Sequence, residues 1–215
     1  MSRPVTLLLI AVGLTLGVVL GGVLVRDPVT PALPAPVEVA PVALAELDTT
    51  TLAVPRAELC TRVPTDAVAA ALGGDPTRVV AYGNGDTAVL TADVRDVSHE
   101  FGCTFARGPR TVRAWLFAPP VTVRNAEQLV DDAAGPGCRR VVGGAAFGSP
   151  SVALRCPTDP AAARRAPARA LYEWSYRGLF GDAWLTCTLL ARGDDAGAAD
   201  RADRWCAAVV QVAAG

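Results

Sequence analysis

Residues 171–190 read LYEWSYRGLFGDAWLTCTLL, and their alternation sets the fold class. Tyr172, Trp174 and Tyr176 fall on one side of a period-2 pattern, and Glu173, Ser175 and Arg177 fall on the other. Successive side chains of a strand point to opposite faces, so the aromatic trio is expected in the core. Leu185, Cys187 and Leu189 repeat the pattern in the next run, 183–190. Two such runs at hairpin spacing predict an antiparallel pair with one apolar face. A helix over 198–213 follows, with Ala202, Trp205, Val209 and Val212 on one stripe to cover that face.

Further strand-like runs occur at 78–82, 87–92, 101–106, 111–118 and 151–156, with Gly83-Asn84-Gly85 as a turn. A helix over 65–72 is capped by Thr65 and stopped by Gly73-Gly74. Asn125-x-x-Gln128 has the form of a capping box and opens a second helix, running to Ala134 and ended by Gly135-Pro136. Hairpin-spaced strands without helices regularly between them predict the α+β class, an antiparallel sheet with helices packed on it.

The N-terminal end has a different character. Val5–Val25 is a run of 21 residues without a charge between Arg3 and Arg26. That matches the ~20 residues a helix needs to cross a bilayer. It exceeds the ~7–15 apolar residues of a cleavable signal, so a single retained transmembrane helix is expected. Arg3 favours a cytoplasmic N-terminus. Gly13, Gly17 and Gly21 line one face of this helix, a spacing that lets two helices approach closely and suggests a homodimer through the anchor. Residues 27–55 hold Pro28, Pro31, Pro34, Pro36, Pro41 and Pro55 and read as an extended tether. The expected organisation is a cytoplasmic tip and anchor at 1–26, a tether at 27–55 and an extracytoplasmic domain at 56–215.

Six cysteines, Cys60, Cys103, Cys138, Cys156, Cys187 and Cys206, all follow the apolar run. An even number in an exported chain reads as a disulfide framework. Six allow fifteen pairings, and sequence alone does not choose among them. Sequential pairing, Cys60–Cys103, Cys138–Cys156 and Cys187–Cys206, suits the local geometry, since Cys187 sits on the apolar strand face that the helix bearing Cys206 should cover. The closest spacing is 18 residues, far from the paired C-x-x-C ligands of a zinc site. Structural staples are expected, with no metal and no cofactor.

Short motifs carry a resemblance. Leu59-Cys60 precedes an alanine-rich helix ending Leu72-Gly73-Gly74, and Gly102-Cys103-Thr104-Phe105 opens a strand. With the anchor and tether, these resemble actinobacterial secreted or lipoprotein-like domains of unknown function. In plan the chain is similar to the extracellular sensor domains of mycobacterial serine/threonine kinases. It departs from both, having no cysteine directly after the apolar run and only a few residues before it. The resemblance implies an extracytoplasmic sheet-and-helix module and carries over no catalytic residue.

The net charge of −1 divides into a basic membrane end and a remainder with 18 arginines against 21 acids, which argues against nucleic acid as a partner. His99 is the single histidine, and Ser98-His99-Glu100 matches no metalloprotease motif. Asp93, Asp96 and Glu100 cluster nearby without the spacing of a calcium loop and read as a solvated face. Gly143-Gly144 and Gly148 read as a turn. Arg139-Arg140, Arg164-Arg165 and Arg169 could meet anionic lipid or wall polymer, but read first as solubilising charge. Phe180 in the turn and Trp184 on the threonine-bearing face are expected to form an exposed contact spot. The expectation is a non-catalytic, sensor-like binding module of the cell envelope, held in the plasma membrane. Its partner would be an envelope component or a membrane protein. The alternatives are an assembly factor working through anchor dimerisation and an anchored hydrolase using His99.

Overall fold

Residues 171–192 form two ten-residue strands joined by Gly181-Asp182. The tight turn that matches strand twist needs a positive φ at its first central residue, and Gly181 supplies it at +68°. This hairpin is the centre of a computed structural model that describes residues 42–89 and 95–215. The strands are β1 (Arg78–Tyr82), β2 (Thr87–Val89), β3 (Arg95–Val97), β4 (Glu100–Arg107), β5 (Arg110–Phe117), β6 (Arg139–Arg140), β7 (Ser151–Pro157), β8 (Leu171–Phe180) and β9 (Ala183–Arg192). The helices are α1 (Thr65–Leu72), α2 (Val123–Asp131), α3 (Pro160–Arg165) and α4 (Ala198–Ala214).

Seven strands make one antiparallel sheet in the order β1-β4-β5-β9-β8-β7-β6, while β2 and β3 pair separately. The α+β class is therefore as the sequence predicts. Gly83-Asn84-Gly85 is a turn, as read; β1 pairs with β4, and the turn leads into a separate β2–β3 ribbon.

Register puts Trp174 opposite Leu189, Leu189 opposite Val112, and Val112 opposite Phe105. These residues share one sheet face, and all are buried in the main core. Helix α4 lies over it, packed on β8, β9 and α1. Trp205 of α4 is 1% exposed and meets Phe105 edge-on at 6.1 Å between ring centroids. The bridge Cys187–Cys206 fixes α4 to β9, and Cys138–Cys156 ties the β6 end to β7. Loops of this length make each bridge worth about 3 kcal/mol by the chain-entropy account. Asp195, just before α4, binds Arg110 at 3.0 Å and Arg201 at 2.5 Å. Burial pushes its carboxyl up, but the two guanidinium hydrogen bonds outweigh that and hold it below the usual range.

Several local expectations change. Thr65 is the first helical residue after an extended Pro64, and no side chain caps α1. Thr122, not Asn125, caps α2: its hydroxyl accepts the Asn125 N–H at 3.3 Å, so the helix starts at Val123 and ends at Asp131. The tether assignment fails beyond residue 42. Leu44 is fully buried in the main core, Thr49 and Val54 are buried as well, and Leu47 and Leu52 pack beside them. The Leu44 N–H donates to Asp203 of α4 at 2.8 Å, and the Thr49 hydroxyl donates to the Ala146 carbonyl at 2.7 Å. Asp203 also meets the Tyr176 hydroxyl; burial first, then this carboxylate, pushes that phenol up to about 12.

Among the described residues no helix is long and apolar enough to cross a membrane. The expected anchor at 1–26, with Gly13, Gly17 and Gly21, lies outside them.

Candidate ligand cavity

Strand β1 is an outer strand of the sheet, and its residues Val80 and Tyr82 share the face turned away from α4. Register places Tyr82 opposite Gly102 and Glu100 opposite Phe117, so all four meet at one corner. Gly102 is required there. A Cβ at this position would fall 2.2 Å from the Tyr82 ring, so only glycine lets the phenol lie flat across β4. The Tyr82 hydroxyl then donates to Glu100 Oε1 at 2.5 Å. Burial, reinforced by this carboxylate, pushes the Tyr82 phenol well above its ordinary range and keeps it protonated.

The β2–β3 ribbon stands beside this corner, and between them lies a cavity of about 670 Å³. Its apolar walls are Val80, Val97, Phe117 and Pro119. Val80 is 37% exposed and Val97 47%, both large hydrophobic side chains held at a surface. Its polar rim is Tyr82, Asp86, Asp96, Ser98, His99 and Glu100. Asp86 closes the preceding turn by accepting the Gly83 N–H at 2.6 Å. Among the described residues three carboxylates and no arginine line the space, with Arg113 behind Tyr82, so it suits a neutral or cationic group with an apolar body.

The structure thus gathers His99, Asp96 and Glu100 at one rim. His99 is exposed, and among the described residues its ring has no hydrogen-bond partner. The Ser98 hydroxyl donates to the main-chain carbonyl of Glu100 at 3.0 Å and shapes the turn. A nucleophile, a base in contact with it and a group orienting that base are the usual signature of nucleophilic catalysis, and the described contacts of His99 do not include one. Asp93 lies outside the described residues. Among the described residues no three His, Cys, Asp or Glu side chains are placed to hold a metal ion.

The expected contact spot is absent. Phe180 is 1% exposed and Trp184 2%. Phe180 belongs to β8 rather than to the turn and stacks edge-on against Phe147 at 5.1 Å. Phe147 reaches it because Gly178 has no side chain: a Cβ there would fall 1.6 Å from the Phe147 carbonyl oxygen. Trp184 lies on the opposite face with Leu179, Val121 and Ala126, where α2 covers the sheet. The polar Thr186 and Thr188 beside it are buried as well, so their polarity did not mark a solvent face.

Of the three expected cysteine pairs, two are bonded. Cys60 and Cys103 are unbonded thiols, hydrogen-bonded to each other, an arrangement that with burial pushes the Cys103 thiol far up. The sequence did not point to Val80, Tyr82 and Phe117 as cavity residues. Their only advance sign was Gly102, a bare position in an otherwise substituted strand. Comparison with models of known families, with curated proteins and with solved structures finds no match to this chain.

Proposed function

We propose that this chain is a membrane-anchored, extracytoplasmic binding module of the cell envelope, sensor-like and non-catalytic. The observation that carries the reading is the β1-edge cavity. Its volume of about 670 Å³ lies within the ~300–1,000 Å³ of small-molecule sites. Apolar walls with a few convergent polar groups are the usual make-up of such sites. The isolated, exposed His99 weighs against the hydrolase alternative. The charge-free run Val5–Val25 and the two bridges support an anchored chain facing an oxidising compartment. There Cys60 and Cys103, already thiol to thiol, would close a third bridge, passing two electrons and two protons to an exchanging partner disulfide.

Ligand-observed saturation-transfer NMR on the full chain in uncharged detergent tests the reading. The probes are small aromatic amines and their neutral counterparts. Amines are expected to receive saturation from the wild type and not from Val80→Arg/Val97→Arg, which places cations in the cavity at half-exposed positions that tolerate the change. Equal transfer from both proteins, or none from either, overturns the assignment.

A further inference from the structure

At the opposite outer strand, β6, a second cavity of about 480 Å³ opens between β7, β8 and α3. Arg139, Arg155 and Arg164 line it, with Tyr172 and three prolines as walls. Arg139 and Arg155 are directly opposed across the β6–β7 ladder. Like charges in that relation destabilise a sheet. The bridge between the adjoining residues, Cys138 and Cys156, nevertheless holds them there.

Among the described residues the cluster is neutralised in part: Asp159 attracts Arg164 and Arg165 without a direct ion pair. Among the described residues no carboxylate lies within ion-pair distance of these three arginines, while five other arginine–carboxylate contacts are made elsewhere. Asp159 is the one acid between residues 133 and 170, a stretch holding Arg139, Arg140, Arg155, Arg164, Arg165 and Arg169. Its carboxylate is turned to α3, accepting the N–H groups of Ala161 and Ala162 at 2.8 and 3.1 Å. The guanidinium of Arg155 is held flat by aromatic rings, 3.6 Å from the Tyr172 centroid and 5.1 Å from that of Trp174. A stacked guanidinium keeps its edge N–H groups free for an oxygen anion. This is a prepared cationic site in which, among the described residues, Arg139 and Arg155 form no ion pair.

We propose that this arginine cavity binds a phosphate group carried on an organic body, a sugar or a glycerol. Three arginines lining one cavity match an anion of several oxygens and more than one charge better than a single carboxylate. The volume exceeds what a bare phosphate fills, and the proline wall offers a surface for the carbon skeleton. The site stands apart from the β1-edge cavity and does not depend on it.

Calorimetric titration of the full chain in uncharged detergent tests this. The probes are inorganic phosphate, glucose 1-phosphate, glucose and dihexanoyl phosphatidylglycerol. Glucose 1-phosphate or the lipid is expected to give saturable heat, and glucose none. Heat from the sugar ester assigns a sugar phosphate, and heat from the lipid alone assigns a headgroup. The variant Arg139→Gln/Arg164→Gln should weaken binding by about tenfold or more. Because it removes an opposed like charge, its ligand-free Tm should stay level with the wild type or rise. Three results overturn the proposal. They are no saturable heat from either ester at about 10 mM, undiminished binding by the double variant, and a fall in its ligand-free Tm that marks the arginines as structural.

Discussion

Leu44→Ala decides whether residues 42–55 belong to the domain or to a tether. Leu44 is 0% exposed within the main core, and its N–H is held by Asp203. The substitution removes three carbons from a site with no access to water, a loss of about 2.5 kcal/mol at ~0.8 kcal/mol per methylene. The cavity left behind raises the total to about 3 kcal/mol, as for other fully buried leucines. For a domain of this size that lowers Tm by roughly 6–12 °C. The assay is thermal unfolding of the full chain with its disulfides intact, followed by tryptophan fluorescence, since Trp205 lies in the same cluster. Pro34→Ala, in the stretch outside the described residues, is the comparison and should leave Tm within about 1 °C. A tether residue contributes nothing to the melt. If Leu44→Ala shifts stability by less than about 0.5 kcal/mol, the packing argument for this segment is wrong.

Two further perturbations follow from buried contacts. Phe180→Ala should cost about 3–5 kcal/mol in guanidinium unfolding because it empties the space against Phe147; a change near zero would return Phe180 to the surface. Asp195 has a depressed folded pKa, so the stability it adds is present above the unfolded carboxyl value of about 3.9 and is lost as pH falls through the folded value. Urea midpoints of wild type and Asp195→Asn should therefore differ at pH 7 and converge below about pH 4; a gap that persists in acid would refute the Arg110 and Arg201 pairing.

The parts of the fold legible in the sequence were those with long, regular patterns. Strands β8 and β9 carry period-2 alternation over ten residues, and α4 carries a continuous apolar stripe. Their cysteines then met as the patterns implied. What was not legible depended on distant partners. Nothing local in the β1 run says that it pairs with β4 rather than with the run after Gly83-Asn84-Gly85. The proline, alanine and valine of 27–55 have the composition of a tether, and only the tertiary surface beneath Leu44 makes its later part structural. The threonines beside Trp184 suggest a solvent face by polarity alone, whereas α2 covers that face. The β1-edge cavity draws on β1, β3 and the end of β5, which the sequence keeps far apart. The arginine cavity was half visible. Cys138-Arg139 and Arg155-Cys156 are mirror images about a bridge, so the expected pairing already set two arginines face to face.

The contact between Leu44 and Asp203 has a mechanical consequence. Among the described residues, a pull applied at residue 42 is met first at that hydrogen bond and at the buried Leu44 side chain. From Asp203 the load passes to Tyr176 on β8 and along α4 to Cys206, whose covalent bridge delivers it to the middle of β9. Strand β9 is hydrogen-bonded on both sides, to β5 and to β8, so the bridge delivers the load to an inner strand and not to an outer one. Tension on this chain is therefore borne by its most firmly held strand, while both cavities sit at the lightly loaded edges.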